Sequence, residues 1–184
     1  MEGVKDIAER INFYLRDSFI KNGFGELSLF GISETVTREE QQFPVFFKTN
    51  QGTWAGFDDR KEIILYHKLN SVQSSVDSNT AYGNNFGQMV NRYSMQLVVY
   101  FKSQKVKPDE MFAFIQAVLP ESPTIENSNF TYIRTSVLSA ILNTMQVFSS
   151  EYKGIAYSLK PEQSLINISY IIESRFKKGC FNCC

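Results

Sequence analysis

Apolar side chains at Val4, Ile7, Ala8, Ile11, Leu15 and Phe19 recur at helical spacing between polar residues, and Asn22-Gly23 follows them. An α-helix turns once every 3.6 residues, so this spacing lays a single apolar stripe along its length, and a glycine tolerates the left-handed conformation that ends many helices. The pattern predicts an amphipathic helix over 3–22. The period then changes. Runs rich in aromatic and β-branched residues cover 27–32, 43–49, 53–57 and 62–69, with Asn50-Gln51-Gly52 and Asp58-Asp59 where turns belong. They predict antiparallel strands.

Residues 70–88 (NSVQSSVDSNTAYGNNFGQ) are polar and rich in Ser, Asn and Gly. The segment is far longer than the ~4–6 residues of an ordinary connection and predicts a projecting loop or an extended hairpin tip. The run 93–101 (YSMQLVVYF) has the composition of a central strand, and 102–107 returns the chain to solvent. Pro108 suits a first helical position, with Asp109 and Glu110 favourable to the helix dipole. Met111, Phe112, Ile115, Val118 and Leu119 form the apolar stripe of this second helix, and Pro120 is expected to end it.

The stretch 131–148 carries two periods at once. Val137, Leu138, Ile141, Leu142 and Met145 have helical spacing, whereas Tyr132, Ile133 and the many Thr and Ser residues favour a strand. A strand with an irregular or helical interruption is expected. Ile166, Ile168, Tyr170 and Ile172 alternate with Asn167, Ser169 and Glu173, as in a strand with one face buried. Lys160-Pro161-Glu162-Gln163 reads as the turn pairing that strand with 146–152. The sum is an α+β domain over 1–184, two helices packed on an antiparallel sheet, with 70–88 as a long loop or hairpin tip and 175–184 as a C-terminal tail.

Composition narrows the classes. With 184 residues, 43% apolar and 21% charged, the chain suits one core. Nineteen basic and nineteen acidic side chains cancel, so no global field draws nucleic acid or an anionic membrane. The first residues are interrupted by charges, and no stretch approaches the ~20 apolar residues of a membrane span. The expectation is a protein that stays in the cytoplasm where it is made and has no membrane partner.

Candidate chemistry is sparse. The single histidine, His67, sits within the strand-like ILYHKL and reads as structural, because a catalytic histidine needs an oriented partner. Glu39-Glu40 and Asp58-Asp59 read as solvated turns, and no phosphate loop, nucleophile elbow or zinc-protease motif is present, so no cofactor is expected. Cys180, Cys183 and Cys184 hold all the thiols, with C-x-x-C spacing from Cys180 to Cys183. Three thiols and one distant histidine fall short of the four ligands of a closed zinc site, which favours a packing or docking role. Sixteen Phe and nine Tyr exceed what two helices and a small sheet need. Tyr82 and Phe86 in the polar segment point to a partner surface.

The order of elements, an N-terminal helix, a meander with one long loop, the strand QLVVYF, the helix PDEMFAFIQAVL and a closing hairpin, resembles the tail-terminator and head-to-tail joining proteins of tailed bacteriophages. VFSSEYKG (147–154), KPEQS (160–164) and ISYIIESRFKKGCFNCC (168–184) look like ring proteins in the neck and tail of crAss-like phages. The resemblance implies a non-enzymatic virion component, made in the host cytoplasm. It would form a homo-oligomeric ring below the portal, contact the portal and adjacent ring or tail proteins, and keep the DNA channel continuous. It implies no catalytic residues. The contact residues it suggests are Tyr82, Asn85 and Phe86 in the loop and Arg175, Phe176, Lys177, Lys178, Cys180, Cys183 and Cys184 near the C-terminus. Contact with DNA would be weak and without sequence specificity, and a plain solvated surface is the ordinary reading of the basic residues. Two other readings stand beside it: a non-catalytic ligand- or peptide-binding module with an aromatic pocket, and a thiol- or zinc-dependent enzyme using Cys180 and Cys183.

Overall fold

The apolar stripe of the first segment becomes helix α1 (Glu2–Lys21), and all six of its predicted members are buried. The computed structural model describes residues 2–48, 51–54, 60–77, 88–119, 130–155 and 159–176. Gly23, at φ 84°, turns the chain out of α1, and the Phe24 amide donates back to the Phe19 carbonyl at 3.0 Å. Phe24 thereby folds edge-on against Phe19, sealing the helix end with an apolar contact.

The strands follow in the order β1 (Leu27–Arg38), β2 (Gln41–Lys48), β3 (Gln51–Trp54), β4 (Ile63–Asp77) and β5 (Gln88–Lys102). Helix α2 (Pro108–Val118), β6 (Phe130–Ile141), α3 (Thr144–Glu151) and β7 (Gln163–Phe176) complete the chain. They form one seven-stranded sheet in the order β3-β2-β1-β4-β5-β7-β6. The fold is α+β. Every neighbouring pair is antiparallel except β1 with β4, which run parallel because the β2–β3 excursion intervenes between them.

Several expectations need correction. The described residues hold three helices, not two: the segment expected as the hairpin partner of β7 is α3, and β7 pairs instead with β5 and β6. The Asn143 side chain accepts from the Gln146 amide at 3.1 Å, and this N-cap starts the helix that strand-like Thr and Ser residues conceal. The segment 70–88 is not a loop throughout. β4 continues to Asp77 and β5 begins at Gln88, paired as the arms of a hairpin up to Asp77↔Gln88, and 78–87 lie outside the described residues. Gln51 and Gly52, expected in a turn, lie in β3. Arg175 and Phe176, expected in a tail, end β7. Asp58, Asp59 and Pro120 lie outside the described residues.

Two apolar layers hold the sheet. Helix α1 lies against β1 and α2 against β7, and together they cover one face with a core that includes Leu65, Met95, Leu97, Ile168, Tyr170 and Ile115. On the opposite face α3 covers only a small patch, where Val147, Phe148 and Tyr152 meet Ile64, Tyr66 and Leu165. The β1–β2 hairpin turns at Glu39 and Glu40, both at positive φ (47° and 66°), and rests on Gly154 through Gln42 N–H to Lys153 carbonyl at 2.8 Å.

Candidate assembly surface

Beyond the row that joins Leu69, Met95, Tyr170 and Val137 the sheet narrows. β1 meets β4 for the last time at Ile32↔His67 and then runs beside β2 alone. Among the described residues, therefore, no strand pairs with the outer edge of β4 past His67, and β6 is outermost on the other side. Over these rows the sheet consists of β4, β5, β7 and β6. One row reads Gln73, Arg92, Glu173, Arg134, the next Val72, Tyr93, Ile172, Thr135 and the one after it Ser71, Ser94, Ile171, Ser136.

Alternate side chains of a strand point to opposite faces, so these rows define two unlike surfaces. The first continues the core beneath the helices: Tyr93, Thr135, Ile172 and Ser174 are buried. Polar atoms there are left over, since Asn91 Oδ1, Thr135 Oγ1 and Ser174 Oγ have no hydrogen-bond partner among the described residues. The second face is polar. Ser71, Gln73, Ser75, Arg92 and Arg134 are exposed, and Ser94, Ser136 and Glu173 are half-buried. Arg92 Nε reaches Glu173 Oε2 at 3.2 Å. Val90, nearer the tip, is the buried exception on this face. Exposed apolar side chains mark the margins: Val72 at the β4 edge, and Leu138, Ile141 and Met145 around the β6 edge and the start of α3.

No family model matches the chain, and no curated protein does. The geometry of the surface carries the functional reading.

The residues nominated from sequence fall at the same end of the molecule as far as they are described. Arg175 and Phe176 pair with Val90 and Met89 of β5, two residues and one residue along β5 from the Asp77↔Gln88 row of the hairpin arms. Tyr82, Asn85, Phe86, Lys177, Lys178, Cys180, Cys183 and Cys184 lie outside the described residues. Arg92, Gln73 and Arg134 were missed, although the period-two alternation of Arg92, Ser94 and Gln96 with Tyr93, Met95 and Leu97 is legible in the sequence.

Two clusters of titratable groups lie in the interior instead. His67 is fully buried; its Nε2 lies 2.9 Å from Asn12 Oδ1 and its Nδ1 2.6 Å from the Tyr170 hydroxyl. Asn12 Nδ2 donates to the Phe30 carbonyl, so its Oδ1 accepts from His67 Nε2–H, and Nδ1 accepts from Tyr170. Burial lowers the His67 pKa to about 3 and raises that of Tyr170, which keeps the imidazole neutral and the phenol protonated. Across the sheet, Glu151 accepts from the Tyr66 hydroxyl at 3.2 Å and from Lys68 Nζ at 2.9 and 3.1 Å. Burial pushes the Tyr66 and Tyr152 phenols up as well. In both networks the described hydrogen-bonding groups are paired with one another, and Lys68 of the second is partly exposed. Among the described residues no group of three His, Cys, Asp or Glu side chains is placed to hold a metal ion, and no helix is long and apolar enough to cross a membrane. An open groove of about 380 Å³ lies between the end of α1 and α2, lined in part by Phe24, Lys105, Met111 and Phe114.

Proposed function

We propose that this protein is a non-catalytic subunit of an oligomeric ring in the neck or tail of a tailed-phage virion, where it joins the portal to the tail and lines the DNA channel. The half-covered sheet is the observation that carries this reading. A wall subunit needs one face packed against its own structure and another compatible with water, and rows such as Gln73, Arg92, Glu173, Arg134 supply the second. The resemblance in element order and in the C-terminal segments supplies the phage context. Since Glu173 offsets Arg92 and the whole chain is neutral, contact with passing DNA is weak and without sequence specificity. The last described rows of the β4–β5 hairpin and the end of β7 lie together at one end of the sheet, and that end is the contact with the portal or a neighbouring ring in this reading.

Light scattering over a range of concentrations, followed by negative-stain imaging, tests this. The purified chain should give a discrete ring, alone or only with extracts containing the portal. A chain that stays monomeric at high concentration and ignores the portal would sink the proposal. The alternative, a ligand- or peptide-binding module, rests on the groove beside Phe24 and Phe114; a saturable ligand displaced by Phe114→Trp would favour it.

A further inference from the structure

We infer that the pocket between the β5–α2 connection and the turn before β7 is a binding site for a small zwitterion, a molecule that carries an oxyanion and an ammonium a few atoms apart, as a free amino acid does. The inference concerns one chain by itself and is independent of the ring reading.

The frame stands at the end of the sheet away from the Asp77↔Gln88 row. Lys102 ends β5 and Gln163 begins β7, and the two are cross-strand partners, so their side chains project on the same face. That face carries α3, because Tyr100 and Leu165, two residues along each strand, pack in the core beneath it. Lys102 N–H donates to the Glu62 carbonyl at 3.2 Å and Ser103 N–H to the Glu162 carbonyl at 2.7 Å, which ties the β5–α2 connection to the chain before β4 on one side and to the turn on the other. The turn is closed by reciprocal bonds: Gln163 N–H donates to the Lys160 carbonyl and Lys160 N–H to Gln163 Oε1, both at 2.9 Å. A backbone held in this way keeps the pocket formed before a ligand arrives, which lowers the cost of binding.

Lys102, Gln104, Lys160, Glu162 and Gln163 line the pocket, which is open and has a volume of about 200 Å³. Sites for drug-sized ligands run to roughly 300–1,000 Å³, so this one suits a molecule of few atoms. Its charges are mixed in sign. Lys102 and Glu162 are both half-buried, and among the described residues neither makes an ion pair, with the other or elsewhere. Other charges at this end of the sheet are paired, Lys105 with Glu62 and Lys61 with Glu26. A charge partly withdrawn from water without a partner is costly, and two of opposite sign that line one pocket without meeting leave room for a molecule that satisfies both. The ligand's oxyanion accepts from Lys102, with Lys160 as a second ammonium, and its own ammonium donates to Glu162. The Gln104 carboxamide supplies a donor and an acceptor. A simple anion would be repelled by Glu162 and a simple cation by the two lysines, so only the zwitterion is favoured by every charge in the pocket.

The test titrates the full chain with glycine, β-alanine and γ-aminobutyrate, which separate the two charges by increasing lengths, and with acetate and methylammonium, which carry one charge each. Backbone amides of Gln104, Glu162 and Gln163 are followed by NMR at constant ionic strength. At least one zwitterion should give saturable shifts at these amides and bind about tenfold or more tightly than either single-charge probe. Lys102→Met keeps the apolar stem and removes the ammonium, and Glu162→Gln keeps the shape and removes the carboxylate. Each should weaken the preferred zwitterion about tenfold while amides elsewhere in the spectrum stay in place. Lys153→Met, an exposed lysine outside the pocket, should leave the affinity unchanged. No saturable shift with any of the three zwitterions, acetate binding as tightly as the best of them, or undiminished binding to the folded Glu162→Gln chain would each overturn the assignment.

Discussion

His67 is the chain's only histidine, so its ring can be followed by NMR without assignment ambiguity. Burial lowers its folded pKa from 6.5 to about 3. Between those values the unfolded chain holds a proton that the native state does not, so stability is full above 6.5 and falls as pH drops toward 3, by about 1.4 kcal/mol per pH unit. The imidazole signals should stay those of the neutral Nε2–H tautomer down to about pH 5, while the denaturation midpoint falls over the same interval; a folded-state titration near 6.5 would mean that the ring is open to water. A second residue-level prediction concerns the β1–β2 turn. Positive φ at both central positions suits Asn-Gly far better than Glu39-Glu40, so Glu39→Asn with Glu40→Gly should raise stability by about 1 kcal/mol. Gly154→Ala should do the reverse, visible as a lower Tm. Gly154 has φ 75°, and an added Cβ would stand 2.8 Å from the Glu40 carbonyl oxygen.

Among the elements, α3 shows how tertiary context overrides local preference. TMQVFSSE is short and rich in Ser and Thr, and isolated helices of this length are unstable in water. Packing of Val147 and Phe148, the Asn143 cap and a hydrogen bond from the Leu165 amide to Thr144 Oγ1 at 3.2 Å hold it in place. Asn143→Ala should therefore cost about 1 kcal/mol in chemical denaturation, whereas Gln146→Ala, which keeps the capped amide, should cost much less. The β4–β5 hairpin is the opposite case: a polar segment is drawn into strand because β5 supplies a partner for every row to Asp77.

For the whole molecule, the edges of β4 and β6 that pair with no strand among the described residues give a prediction that needs no mutation. In the monomer, the outward amides within 71–75 and 132–136 should exchange rapidly with solvent, and in the ring they should slow by about tenfold or more, while amides of β5 and β7 stay protected in both. Unchanged exchange in an assembled ring would place the contact between copies elsewhere. The periodicity of the chain was enough to place α1, α2 and β7 and to establish an α+β fold, because in these segments the spacing of apolar residues coincides with the face that is buried. Arg175 and Phe176 were nominated by the resemblance to phage ring proteins and not by periodicity, and neither showed that they end a strand. Tertiary structure decided the rest. Whether Val147 and Phe148 lie on a helix or a strand depends on what they pack against, and whether 70–77 is loop or strand depends on its pairing with β5 across the hairpin. Which strands lie at an edge depends on the order in which the sheet is assembled. That order is a property of long-range pairing, and no local spacing of residues encodes it.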